Sequence, residues 1–278
     1  MTVGPMLKIL CYHSIRPRSP GSKWSVPFQR FAAQIQYLVR RDVPVVPLDD
    51  AVACLTSGKG PPFAVSLTFD DAYLDNTQRA FPLLRDLGLP ATLFVPAGQV
   101  GMSRDGMSGG EQPRMNWDEL ASCVGAGLSI GVHGLMHRDL AQATDAELRE
   151  EVETSRDLVA RHLGIAAPRA FSYPYGSCSA RIRAAVRGAG YSYAVGTSSP
   201  RSQTVLSDPY DLRRETIYGN TPLWAFAAKI SRRWDTARSI YWFPARAAAN
   251  AARRATGRHP SARSSMAAAA DRPKGVRR

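Results

Sequence analysis

Four short apolar runs with strand composition each end on a polar residue capable of chemistry, and this repetition constrains the fold more than any other feature of the chain. Leu7 to Tyr12 leads into His13, and Ala64 to Phe69 leads into Asp70 and Asp71. Leu128 to Val132 leads into His133, and Ala170 to Tyr173 leads into Pro174, Tyr175 and Gly176. Helical patterns separate them. Phe28 to Arg41 carries Phe28, Phe31, Ile35, Leu38 and Val39 at helical spacing. Gln78 to Leu87 is stopped by Gly88 and Pro90, and Thr144 with Glu147 forms a capping box before a long helix over 145–163. Further helices are expected from Asp49 or Asp50 through Leu55, over Trp117 to Val124, over Ala180 to Val186 and from about Pro222 to Ile230. Strands are expected at 43–46, 91–95, 191–195 and 212–218. Strand and helix alternate about seven times, which predicts a parallel sheet covered by helices, either a barrel or a doubly wound sheet. Both architectures place their sites at the C-terminal ends of the strands. The four polar strand ends are therefore expected to meet.

Composition narrows the class. The chain has 278 residues, 44% hydrophobic and 21% charged, which excludes wholesale disorder. No apolar run approaches the ~18 residues of a membrane span, and no internal repeat is visible. The net charge is +13, and nine of the basic residues, against the single acid Asp271, lie between Arg246 and Arg278. The expected division is a folded domain over residues 1–244 and a basic Ala/Arg-rich tail over 245–278, helical or disordered. Cys11, Cys54, Cys123 and Cys178 form no C-x-x-C pair and read as free thiols. The N-terminus lacks the apolar core of a signal peptide. A cytoplasmic protein is expected, with peripheral attachment at the inner membrane face as an option. Trp234 to Arg258 could then touch an anionic surface.

The chemistry is read from three clusters. Adjacent strand residues point to opposite faces, so Asp70 and Asp71 can serve one site only where the strand has ended. Their natural division is one metal ligand and one base; the alternative is a pair of helix-capping turn residues. His133 and His137 have the H-x-x-x-H spacing that puts two imidazoles on one face of a helical turn. Two histidines and one carboxylate leave open positions on a metal. Zinc fits, and iron, cobalt and manganese use the same set. Non-haem iron oxygenases are a chemical rival, but they commonly keep one His close to the carboxylate in sequence, unlike this chain. Ser172 to Gly176 is a tight turn that can aim a backbone N–H as an oxyanion donor. It is equally readable as a turn with two packed tyrosines. His13 is either a satisfied structural histidine or a general acid.

Thr68-Phe69-Asp70-Asp71, His133-Gly134-Leu135-Met136-His137 and Tyr173-Pro174-Tyr175-Gly176 resemble, in order and spacing, the motifs of polysaccharide deacetylases with a NodB-homology domain, carbohydrate esterase family 4. The opening Leu10-Cys11-Tyr12-His13-Ser14-Ile15 resembles a subgroup with permuted motif order, whose catalytic His lies at the N-terminus. The resemblance implies a distorted (β/α)7 barrel and one divalent metal, usually zinc, with cobalt, manganese, iron or nickel as alternatives. It implies Asp71, His133 and His137 as ligands, Asp70 as general base, His13 as general acid, and Tyr175, after Pro174, as backbone oxyanion donor. The implied reaction is removal of an N-acetyl group from an amino sugar, glycan or lipid-linked saccharide by metal-activated water. Three positions depart from the family pattern. Gly134 stands where Ser or Thr usually follows the first His, and Ser172 stands where the third motif usually begins with Arg. The late His motif is absent. Arg214 is the candidate for the missing cation beside Asp70. A deformylase or esterase on the same site, a non-catalytic glycan-binding module and a nucleic-acid binder working through the tail are the alternatives. The intact Asp70, Asp71, His133 and His137 set argues against the second. The lack of a basic groove interleaved with aromatics argues against nucleic acid as a partner.

Overall fold

The computed structural model describes residues 4–18, 22–105, 111–197, 202–205 and 207–231. The chain divides into Met1–Arg232 and Arg233–Arg278. The 244/245 boundary, the basic tail and the Trp234 to Arg258 segment expected at a membrane all lie outside the described residues.

Seven parallel strands close into a barrel. They are β1 (Leu7–Tyr12), β2 (Ala64–Asp70), β3 (Thr92–Val95), β4 (Ser129–Val132), β5 (Ala170–Ser172), β6 (Tyr193–Gly196) and β7 (Leu212–Thr216). Their order around the wall is β1-β7-β6-β5-β4-β3-β2, with β2 returning to β1. The β1–β2 pairing is long, from Leu7 opposite Ala64 to Tyr12 opposite Phe69. The β4–β5 pairing registers only Val132 with Phe171, so the wall is thin at that point. The barrel choice between the two expected architectures is thereby made, and it is the distorted (β/α)7 form.

The side-chain alternation of β1 and β2 separates packing from chemistry. Tyr12 and Phe69 stack outward at 5.5 Å and meet Phe31 of helix α1 (Phe28–Arg40), while Cys11 and Asp70 point inward. Of the five apolar positions its periodicity selects, helix α1 buries Phe31, Ile35 and Leu38, half-buries Phe28 and leaves Val39 exposed. It also buries Gln34, whose Oε1 accepts the Tyr12 hydroxyl at 3.0 Å, so the buried amide is satisfied. Helix α2 spans Leu48–Ser57 after Pro47, without the expected Asp cap. Val43 to Val46 supplies a single bridge, Val45 to Val65, rather than a strand. Between β3 and the helix that begins at Trp117, an antiparallel ribbon pairs Ser103–Asp105 with Glu111–Pro113.

The capping box of Thr144 and Glu147 is present. A second one, Asn116 with Glu119, starts the helix Trp117–Gly125. The helix after Thr144 is not uniform. A π turn over Glu150–Thr154 separates Asp145–Arg149 from Ser155–Leu163. No helix of the described residues is long and apolar enough to cross a membrane.

Candidate active site

All eight residues expected at the site lie at or beyond the C-terminal ends of barrel strands, or on the barrel wall directly beneath. Strand β2 ends at Asp70. Asp71 and Ala72 then take left-handed backbone angles, φ 75° and 51°. This turn rotates Asp71 back over the barrel, which is how two adjacent carboxylates both reach the histidine pair, Asp70 against His133 and Asp71 against His137. Five described non-glycine residues have positive φ, and four of them, Asp71, Ala72, His137 and Tyr175, belong to site loops. Such angles cost about 1–3 kcal/mol each and persist where the surroundings enforce them.

His133 and His137 converge, but not on a helical turn as their spacing suggested. The segment is a bend with φ 76° at Gly134 and 55° at His137. The imidazoles meet edge to face at 4.7 Å. His133 Nδ1 lies 2.8 Å from the Ser172 carbonyl. A carbonyl only accepts, so Nδ1 is the donor, and in the neutral ring the Nε2 lone pair is left for a ligand. His137 Nε2 lies 3.3 Å from Asp71 Oδ1. The donor atoms of Asp71, His133 and His137 all fall within 4.8 Å of one another. Asp71 Oδ1 is buried and accepts no hydrogen bond. One carboxylate oxygen and two imidazole nitrogens, dry and converging, fit a divalent cation and leave positions open for water and substrate.

Asp70 borders that trio, its Oδ2 3.7 Å from His133 Nε2. Arg214, fully buried on β7, reaches inside the barrel past β1 and donates from Nη1 to Asp70 Oδ1 at 2.7 Å and from Nη2 to Oδ2 at 2.6 Å. The remaining guanidinium bonds go to Thr68 Oγ1 (3.1 Å) and Ser172 Oγ (2.8 Å). Burial alone would raise the Asp70 pKa. Arg214, with His133 and His13, overrides it and holds the carboxyl well below its ordinary range. Asp71 follows the same logic: burial opposes its charge, while His137 and Arg114 bring its pKa down to about 2. The cation expected from Arg214 is therefore in place. Ser172, standing where the family pattern has Arg, accepts from Arg214 and offers its hydroxyl to Asp70 at 3.3 Å.

His13 follows β1, its carbonyl held by Asn76 Nδ2 at 2.7 Å and its ring packed on Trp24 at 4.6 Å. Burial lowers its pKa, opposed by the charges of Asp70 and Asp71. Pro174 is buried and opens the turn Pro174–Gly176. Gly176 and Ser177 close that turn by donating to the carbonyls of Tyr173 and Pro174. Tyr175, at φ 57°, is 60% exposed and lays its ring 4.8 Å from His137.

Four contributors were missed. Cys11 donates its thiol to Asp70 Oδ2 at 3.6 Å and lies 4.0 Å from His13 Nδ1. The Cys11 position was inferable, since residues two apart share a strand face. Cys11, His13 and Asp70 also group within 4.8 Å. With both Asp70 oxygens bound to Arg214, however, this cluster offers a cation little. Asn76, which holds the His13 carbonyl, is the second. Arg114, buried against Asp71, and Glu151, buried beneath the His133–His137 bend, carried no sequence signal at all.

The family model described as polysaccharide deacetylase matches residues 57–194. His13 and Arg214 lie outside that span, so the barrel's closure brings in residues the match does not include. YxkH of Bacillus subtilis strain 168, named as a polysaccharide deacetylase, is 29% identical over 81% of this chain and 76% of its own length. The poly-β-1,6-N-acetyl-D-glucosamine N-deacetylase of Staphylococcus aureus strain MSSA476 is 25% identical over 76% of this chain and 72% of its own. The deacetylase PplD of Streptococcus pyogenes, solved in complex with acetate, superposes with a TM-score of 0.73 at 22% identity, over 82% of this chain and 100% of that one. The superposition shows the shared fold, and by its sequence matches the chain belongs to the polysaccharide deacetylase family.

Proposed function

We propose that this protein is a divalent-metal-dependent hydrolase that removes the N-acetyl group from an amino sugar within a glycan. The observation that carries the reading is the division between the two neighbouring carboxylates. Asp70 is paired bidentately with Arg214, whereas Asp71, beside Arg114, converges with the two imidazoles on an oxygen that accepts no hydrogen bond. That is the arrangement expected of one base and one ligand.

Asp71, His133 and His137 would hold the metal, with zinc as the first choice. Bound there, it would supply Lewis-acid polarisation of the amide carbonyl and a water of lowered pKa. Asp70, kept ionised and aimed by Arg214, takes a proton from the attacking water. Its own low pKa makes it a weak base, which suffices for a water so acidified. The Tyr175 N–H donates to the developing oxyanion, worth about 3–4 kcal/mol at such a position. His13 gives its proton to the departing amine. Acetate and a free amino sugar result. The names of the relatives favour a β-1,6-linked N-acetylglucosamine polymer as the substrate class.

The test is acetate release from β-1,6- and β-1,4-linked N-acetylglucosamine oligomers, before and after treatment with a chelator. Release that stops on chelation and returns with zinc is expected. Release from formylated or ester substrates alone would replace the amide reading with deformylase or esterase chemistry. Oligomer binding without any release would make the protein a glycan-binding module.

A further inference from the structure

We infer that Glu151, brought under the metal-ligand bend by a π turn, is the positioning residue that sets the separation of His133 and His137. The inference rests on the metal-site reading above and deepens it.

The bend between the two histidines has no secondary structure of its own, so every backbone group in it needs an outside partner. Its three carbonyls find them on the loop after β3. The Ala97 N–H donates to Gly134 O (3.0 Å), the Gly98 N–H to Leu135 O (2.9 Å) and Gln99 Nε2 to Met136 O (3.0 Å). The amides on the other side have a single partner. Glu151 Oε2 accepts from the Leu135 N–H at 2.8 Å, and both carboxylate oxygens accept from the Met136 N–H, at 3.0 and 3.2 Å. Glu151 is 2% exposed. A carboxylate buried to that degree is stabilised by such charge-assisted bonds.

Two further features belong to the same device. A Cβ built on Gly134 would lie 2.6 Å from Glu151 Oε2, and Gly134 takes φ 76°. The absence of a side chain after His133 is thus the space that the carboxylate occupies. The helix carrying Glu151 is widened at that residue, since Glu150–Thr154 forms the π turn. Carbonyls in the widened turn are taken up by neighbours. Ser155 Oγ donates to Glu151 O and Val152 O, and the Tyr191 hydroxyl donates to Val152 O at 2.9 Å. π turns concentrate at functional sites because they cost helix regularity. Here the turn is satisfied from outside and points one carboxylate at two amides of the ligand bend.

The experiment compares wild type, Glu151→Gln and Glu151→Ala as metal-free proteins. It reads hydrogen exchange of the Leu135 and Met136 amides, zinc affinity by titration, and the melting temperature. Glu151→Ala should lose protection at both amides and bind zinc roughly 10- to 100-fold more weakly, the usual effect of losing an outer partner of a metal ligand. Glu151→Gln keeps one acceptor oxygen and should fall between. It also serves as the readable variant if Glu151→Ala does not fold. Gly134→Ala should weaken zinc binding with Glu151 still present. Lost protection with zinc affinity within twofold of wild type would overturn the inference and leave the hydrolase reading standing. Protection unchanged in Glu151→Ala would overturn it as well. A wild type that binds no zinc would remove both.

Discussion

Arg214 and Asp70 stand 144 residues apart in the chain, on strands that both flank β1, and meet inside the barrel through two parallel hydrogen bonds, both partners buried. A guanidinium matched to a carboxylate in this way fixes direction as well as charge. It keeps the base of the proposed reaction ionised inside a dry barrel.

Replacing Arg214 by Met should therefore raise the Asp70 pKa, because burial then acts unopposed. The acid limb of the kcat/KM profile should move to higher pH. Stability should fall by about 3–5 kcal/mol, the cost of stranding a buried charge. The folded-state pKa of Asp70 lies below its unfolded value, so the pair stabilises the fold above the ordinary carboxylate range. That contribution disappears as pH falls through the folded value. The stability gap between wild type and Arg214→Met should accordingly narrow in acid, as denaturant melts at several pH values would show.

Ser172→Arg places a second guanidinium where Arg214 already fills the space between Asp70 and Thr68. Overpacking and like charge should combine to cost several kcal/mol, and activity should be lost with it. The double change Ser172→Arg with Arg214→Ser should recover part of both. An unimpaired single variant would mean that the cation's place in the barrel is not exclusive.

His13→Gln should lower kcat by about 100- to 10,000-fold, the range for losing a general acid. Metal content should be unchanged, since His13 lies outside the Asp71, His133 and His137 trio and its own cluster has both Asp70 oxygens engaged by Arg214. The wild-type alkaline limb should sit below the ordinary histidine range, because burial lowers the His13 pKa. That limb should be absent in the variant. Loss of metal in His13→Gln would instead place the residue among the ligands.

Much of this was readable from residues alone. The polar strand ends located the site because a parallel barrel gathers its strand termini. Asp70, Asp71, His133 and His13 follow from that rule, and His137 from its spacing to His133. The route by which they meet was less legible. The H-x-x-x-H spacing suggested a helical turn, whereas a glycine bend held by distant Glu151 does the work. Asp71 reaches the cavity through a left-handed turn that no propensity announces. Arg114 and Glu151 come from other elements, and sequence distance carries no trace of such contacts. Arg214 was found only because a missing arginine at Ser172 required a replacement.

The central claim is that one metal, held by Asp71, His133 and His137, is required for amide hydrolysis. The most direct test titrates zinc into chelated protein while acetate release from N-acetylglucosamine oligomers is followed, with His133→Ala alongside. Activity should rise linearly and level off at one equivalent in wild type, and stay at background in the variant. Full acetate release from the metal-free protein, or equal recovery in His133→Ala, would contradict the account.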